Sequence, residues 1–168
     1  ATGGHEGTTR EYGYGTSEAV LTQAAVRKGL ARGDIDPGEL ENGVMIQCVG
    51  SREKNGRPYC SRICCLGAIG NALKIKEMNP EARVFMLYRD IMTYGFYEQY
   101  SSQARAAGVI FINYSLDNKP QVEIGEDGKP VVKFTDRVLK EEMELPADLV
   151  VLATGVDPEE SNLHLAQA

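Results

Sequence analysis

Apolar residues along this chain fall into short unbroken runs, separated by polar, glycine-bearing stretches and by segments with helical spacing. The run Val44-Met45-Ile46-Gln47-Cys48-Val49 has strand length and closes at Gly50-Ser51. Its lack of alternation predicts a strand buried on both faces, as in a parallel sheet. A polar loop over residues 50–59 follows. Helical spacing then runs over residues 61–78, with Ile63, Leu66, Ile69 or Gly70, Leu73 and Ile75 as its apolar stripe, and Asn79-Pro80 stops it. Residues 84–88 predict a second strand, residues 96–107 a second helix ending at Gly108, and residues 109–112 a third strand. Such a β-α-β-α-β succession requires right-handed crossovers and gives a parallel sheet covered by helices.

Beyond the third strand the period changes. Residues 121–124, a Gly125-Glu126-Asp127-Gly128 turn, residues 131–134 and an alternating stretch through Val138 and Met143 to Leu145 predict an antiparallel meander. Residues 148–153 are again continuously apolar and return to the parallel sheet, ending at Thr154-Gly155. Upstream, residues 22–31 predict a short helix with Thr22 as N-cap and Gly33 at its stop. Residues 33–43 form a connector, and residues 1–18 show no sustained period and read as a loop that does not fold alone. The expected organisation is an N-terminal segment or linker over 1–41, an α/β unit over 42–156 and a tail over 157–168. Ala-Thr-Gly occurs at both ends, as Ala1-Thr2-Gly3 and Ala153-Thr154-Gly155.

A length of 168 residues with 42% hydrophobic content suits one well-buried domain. The net charge of −6 and scattered Lys and Arg argue against nucleic acid or an anionic membrane as partner, since both demand a basic face. No stretch reaches the roughly 20 apolar residues that cross a bilayer, and no export signal is legible, so the expectation is a cytoplasmic chain without membrane insertion.

All four cysteines lie in one stretch, Cys48-x11-Cys60-x3-Cys64-Cys65. A dinucleotide-binding fold carries G-x-G-x-x-G after its first strand, so that backbone can approach the pyrophosphate. Here that place reads Cys48-Val49-Gly50-Ser51-Arg52-Glu53, with one glycine left. Thiols stand where phosphate would be held. Clustered cysteines in a chain without an export signal point to metal or redox chemistry. An iron–sulfur cluster, tetrahedral zinc, a thiol–disulfide pair and simple buried cysteines are all compatible with the residues. Zinc sites usually use two short knuckles and only one short spacing exists, while no C-x-x-C supports a redox pair. Helical spacing places Cys60 and Cys64 on one face and Cys65 about 100° away.

The motifs Ile46-Gln47-Cys48-Val49-Gly50-Ser51-Arg52, Pro58-Tyr59-Cys60-Ser61-Arg62-Ile63-Cys64-Cys65, Tyr88-Arg89-Asp90-Ile91 and Tyr94-Gly95 resemble the A-type subunit of heterodisulfide reductase. The two Ala-Thr-Gly ends resemble strand ends of the wider thioredoxin reductase and disulfide reductase flavoproteins, in which an NAD(P)H domain is inserted into an FAD domain. The resemblance implies a Rossmann-like three-layer domain carrying one [4Fe–4S] cluster on Cys48, Cys60, Cys64 and Cys65, and an electron-relay role inside an FAD-dependent oxidoreductase. Segments 1–41 and 157–168 would then lead from and back to the FAD domain. Implied partners are the FAD-binding and ferredoxin-like domains of the parent polypeptide, other reductase subunits, and a hydrogenase- or formate-type donor. The family's flavin-binding glycine motif and ferredoxin-type cysteine runs are absent from these 168 residues, so FAD is expected in the parent and not on this chain alone. A residual NAD(P)H-binding module and a zinc-stabilised interaction domain are the alternatives.

Other residues receive plainer readings. Asp90, at the end of the second strand, stands where a ribose-binding acid would be and is read as structural. Arg52, Arg57 and Arg62 are read as solvent-facing ahead of offsetting thiolate charge. Gly67 and Gly70 suggest close helix-to-sheet packing. Tyr94, Tyr97 and Tyr100 are read as packing residues, and His5 and His164 as exposed bystanders.

Overall fold

A computed structural model describes residues 3–162. Ala1, Thr2 and His164 therefore lie outside the described residues. The chain runs β1 (Gly4–Glu6), β2 (Val20–Thr22), α1 (Gln23–Arg32), a 3-10 turn (Pro37–Glu39), β3 (Asn42–Ile46), α2 (Cys64–Met78), β4 (Arg83–Tyr88), a 3-10 turn (Gly95–Tyr97) and α3 (Glu98–Ala106). It continues through β5 (Ile110–Asn113), β6 (Gln121–Ile124), β7 (Pro130–Asp136), β8 (Glu141–Pro146), β9 (Leu149–Leu152) and β10 (Val156–Pro158).

Five strands form a parallel sheet in the order β2-β9-β3-β4-β5. The meander β6-β7-β8 is a separate antiparallel sheet, and β1 pairs with β10 as a two-stranded ribbon. Every residue of β3 and β9 is buried, as continuous apolar runs require. Their side chains alternate between two cores. Met45, Val84, Met86 and Val151 pack against α1, α2 and α3, while Val44, Ile46, Leu87, Val150 and Leu152 meet Val132 and Phe134 of the meander. Full burial of each such aliphatic side chain contributes about 1.5–3 kcal/mol. The parallel sheet and the meander expected from the hydrophobic pattern are present, with the helices on one face of the sheet and the meander on the other, the three layers that the resemblance implies.

Thr22 caps α1 by accepting from the Ala25 N–H, and Gly33 ends it at φ 79°. Several features depart from the sequence reading, among them β1, which pairs with β10 inside a segment read as a loop. Val20–Thr22 is too short a run to register as a strand, yet it pairs with β9 and extends the sheet. Helix α2 begins at Cys64 and not at residue 61, because Arg62 takes a left-handed conformation (φ 63°) that no α-helix continues through. The sheet-facing side of α2 is Cys65, Ala68, Ile69, Ala72 and Ile75, so Ile63 (61% exposed) falls outside the core. Gly67 and Gly70 face Arg27 of α1 and not the sheet.

Candidate metal centre

Strand β3 delivers Cys48 to the carboxyl edge of the sheet, the edge where open α/β sheets bind ligands. Beyond it the chain turns through left-handed Cys48, Gly50 and Arg52, each at φ 60°. Non-glycine residues in that region cost of order 1 kcal/mol or more and gather at functional sites. Three of the five among the described residues, Cys48, Arg52 and Arg62, belong to this one loop.

The loop is pinned to the strand end opposite. Val49 N–H donates to the Ala153 carbonyl (3.0 Å) and Val156 N–H to Ser61 Oγ (2.9 Å). Tyr59 hydroxyl donates to the Val156 carbonyl (3.0 Å), and Arg57 forms a two-pronged ion pair with Asp157. Gly155 must be glycine here, since it adopts φ +80° and a Cβ would meet Ser51 Oγ at 2.6 Å.

This folding brings Cys48, Cys60, Cys64 and Cys65 to the wall of one narrow cleft, which Met92 also lines. None is in a disulfide, and only Cys65 is fully buried. Cys60 stands in the loop and not on a helical turn, because left-handed Arg62 separates it from α2; the expected shared helix face with Cys64 does not exist. Burial, and then the proximity of Cys48 and Cys60, pushes the Cys64 thiol up, against the pull of the Gly155 N–H and its own. Burial likewise pushes Cys65 up to about 11. Its Sγ lies 3.7 Å from the Asp90 carbonyl. The Arg62 N–H points at Cys60 Sγ (3.4 Å).

Among the described residues no three His, Cys, Asp or Glu side chains are arranged to hold a single metal ion. Tetrahedral zinc would need four sulfurs about 3.8 Å apart, from Zn–S bonds near 2.3 Å. All four donors at the cleft are cysteines, the donor set that iron–sulfur clusters use. In donor chemistry the residues fit such a cluster.

The surrounding charges differ from expectation. Arg52 is not free in solvent: it pairs with Asp90 at 2.6 Å and reaches the Cys48 thiol. Arg57 is engaged by Asp157. Asp90 is thereby occupied as a structural partner, in keeping with its reading. Tyr94, Tyr97 and Tyr100 are not packing residues of the core; they are 59%, 53% and 37% exposed, with the Tyr97 and Tyr100 rings stacked at 6.4 Å. His5 is half-exposed beside Glu159.

Sequence reasoning missed a second concavity. A groove of about 500 Å³ opens between the starts of α1 and α2 and the end of β9, walled by Ile63, Leu66 and Gly67 and bordered by Arg27 and Lys28. Gln23 and Thr154 are nearly buried in its wall and leave Nε2 and Oγ1 without partners. Cys64 belongs to both the cleft and the groove. Only its apolar residues outside the core, Ile63 and Leu66, could have signalled it.

No protein-family model matches the chain. It is 39% identical over 171 residues to the iron–sulfur A-type subunit of CoB–CoM heterodisulfide reductase from Methanocaldococcus jannaschii, covering 94% of this chain and 25% of the relative. It is 36% identical over 160 residues to the A-type subunit of the ferredoxin/F420H2-dependent CoB–CoM heterodisulfide reductase of Methanosarcina acetivorans, covering 89% and 20%. The chain is homologous to a part of the heterodisulfide reductase A-type subunits. It spans about a fifth to a quarter of the length of these relatives. A relative in Methanococcus maripaludis, 38% identical over 94% of this chain and 25% of the relative, is the A-type subunit of an enzyme named H2/formate:CoB–CoM heterodisulfide, ferredoxin reductase. Among solved structures, an NAD-dependent persulfide reductase from A. fulgidus superposes with TM-score 0.57 at 19% identity, over 98% of this chain and 27% of that one. Thioredoxin reductase from T. acidophilum gives 0.55 at 14%, over 95% and 43%. These likenesses show the fold, that of FAD- and NAD-binding Rossmann-like oxidoreductases. No helix among the described residues is long and apolar enough to cross a membrane.

Proposed function

We propose that this chain is the electron-relay domain of a heterodisulfide reductase-like iron–sulfur flavoprotein, holding one [4Fe–4S] cluster on Cys48, Cys60, Cys64 and Cys65. The observation that carries the reading is the convergence of all four thiols on one cleft, with Cys64 shared between that cleft and the neighbouring groove. Bound there, the cluster would supply one-electron transfer. Cys48 holds it from the strand end, Cys60 from the loop, and Cys64 and Cys65 from the first turn of α2. Unpaired N–H groups of that turn, which has no side-chain cap, favour the anionic thiolates. Burial excludes water from Cys65.

The groove supports a direction for the relay. A flavin carried by the FAD-binding portion of the parent would face the groove, with Cys64 as the near edge of the cluster. Residues 42–156 would carry the cluster, while residues 1–41 and 157–168 lead from and back to that FAD-binding portion, with β2 and α1 of the first segment already packed on the sheet. Ferredoxin-like domains, other reductase subunits and a hydrogenase- or formate-type donor are the corresponding partners, in the cytoplasm. The loop of residues 50–63 fills the place of a phosphate loop, and Arg52 occupies Asp90, so NAD(P)H is not the ligand of this domain.

Anaerobic reconstitution followed by iron and sulfide analysis tests the assignment. Four iron and four sulfide per chain are expected, and each Cys→Ser change should remove most of the charge-transfer absorbance. Stoichiometric zinc without sulfide, saturable micromolar NADH binding, or a full cluster in Cys65→Ser would each refute it.

A further inference from the structure

Arg89 closes β4 directly behind the Cys48 loop. Its Nη2 donates to the Ser51 carbonyl and, at 3.5 Å, to the Cys48 carbonyl, while Nη1 reaches the Arg52 carbonyl at 3.4 Å. One guanidinium thus gathers three carbonyls of the left-handed turn that aims Cys48 at the cleft. Its own backbone is fixed in turn: Asn113 Nδ2 donates to the Arg89 carbonyl (2.8 Å) and the Tyr88 carbonyl (3.2 Å), and Arg137 of the meander holds Asn113 Oδ1.

Its charge is the second observation. Arg52 is paired with Asp90 and Arg57 with Asp157, and Lys119 with Glu11 and Glu53. Arg89 makes no ion pair among the described residues, and its buried Nε has no partner at all. An uncompensated, half-buried cation is costly unless an anion lies near. The phenols of Tyr12 and Tyr114 adjoin it, and the nearby Glu53 carboxylate is paired with Lys119. An anionic centre on Cys48, whose carbonyl Arg89 reaches, would supply a counter-charge.

Resting on the cluster reading above, we infer that Arg89 is a positioning residue for that centre: it sets the Cys48 turn through three carbonyls and, as an unpaired cation behind it, raises its reduction potential. Reduction adds negative charge to the cluster, so a nearby fixed cation favours the reduced form. The role lies in the backbone geometry and the field, without contact to the cluster.

The test uses the full chain, reconstituted anaerobically, as parent, Arg89→Met and Arg89→Lys. Folding is followed by far-UV circular dichroism, loading by iron and sulfide content, and the cluster by redox titration with electron paramagnetic resonance. Arg89→Met should lower the potential by at least a tenfold shift in the reduction equilibrium, about 59 mV for one electron. Arg89→Lys should recover most of that shift but retain an altered spectrum, because a lysine cannot reproduce the three-carbonyl fork. A folded Arg89→Met that loads no iron where Arg89→Lys does also supports the positioning role. If Arg89→Met does not fold, Arg89→Lys decides alone: an altered spectrum supports the inference and a parental one overturns it. Parental potential and spectrum in loaded Arg89→Met overturn it while leaving the cluster reading intact. A folded parent that takes up no iron and sulfide removes the cluster reading and this inference with it.

Discussion

The two edges of the parallel sheet treat polar groups in opposite ways. At the amino edge, Asn79 Nδ2 donates to the carbonyls of Pro37 (2.8 Å), Gly38 (3.4 Å) and Leu40 (3.1 Å), and its Oδ1 accepts from the N–H groups of Glu81 and Ala82. Asp148 accepts from Glu41 and Asn42, each at 2.9 Å; burial works against its ionisation, but those two N–H groups and Lys129 hold its carboxyl below the ordinary range. Asn42 Oδ1 is the amino edge's one buried side-chain atom without a partner among the described residues. At the carboxyl edge, Gln23, both ends of Gln47, Ser51, Arg52 Nη1, Arg89 Nε and Thr154 all keep buried polar atoms without partners. Native proteins leave few such groups, and each asks for a cause. One edge is finished by the fold's own hydrogen bonds, and the other keeps donors and acceptors that the polypeptide leaves unpartnered.

That contrast can be broken by mutation. Asn79→Ala should cost about 3 kcal/mol of unfolding free energy in urea titration, because several backbone groups lose their partner at once. A loss below about 1 kcal/mol would show that the amino edge is not held by this side chain. Gly155→Ala, on the other edge, should cost about 2 kcal/mol from the left-handed backbone and the clash with Ser51, and should also lower iron retention on reconstitution, since the same contact seats the cysteine loop. Stability lost with iron retention unchanged would separate the loop from the centre.

The Arg57–Asp157 pair sharpens the comparison through pH. The guanidinium of Arg57 holds the Asp157 carboxyl below its ordinary value, so the pair's contribution is complete above about pH 4 and is lost as pH falls through the depressed value. With side chains 15% and 33% exposed, the effect is of order 1 kcal/mol. The melting temperature of Asp157→Asn should lie below the parent's at pH 7, and the gap should narrow as pH falls below about 4 through the depressed value; a gap that does not narrow on acidification would assign the effect to something other than ionisation. Smallest is Gln47→Met. Gln47 is fully buried with both amide atoms unpartnered, and replacing them by apolar atoms should stabilise the metal-free chain by about 1 kcal/mol in the same titration. A loss of stability would mean the amide has a partner in the folded chain.

The hydrophobic pattern carried the layers because buried parallel strands leave unbroken apolar runs, and α1 was legible from the capping oxygen of Thr22 and the glycine at its end. The donor set was equally legible, since cysteine spacing survives in one dimension. What the pattern could not carry was the left-handed turn at Arg62, which moved the start of α2 and with it the face assigned to Ile63 and Leu66. Arginine has no side-chain signature for that conformation; the turn is imposed by bonds to residues nearly a hundred positions away. The pairing of Arg52 with Asp90 and of Arg57 with Asp157 was hidden for the same reason, and Val20–Thr22 becomes a strand only because β9 lies beside it.

Strand order has a consequence for the timing of assembly. β9 is inserted between β2 and β3, so the sheet stays open between them until residues 149–152 have been made. The wall against which the cysteine loop is clamped belongs to residues 153–157, and Arg57 waits for an anchor one hundred residues downstream. During synthesis the four thiols emerge first, into solvent, with no floor beneath them. A nascent chain therefore passes through a period in which its sulfurs are open to oxidants and to adventitious ions, and docking of β9 with the segment that follows it is the event that gathers the loose thiols at one cleft.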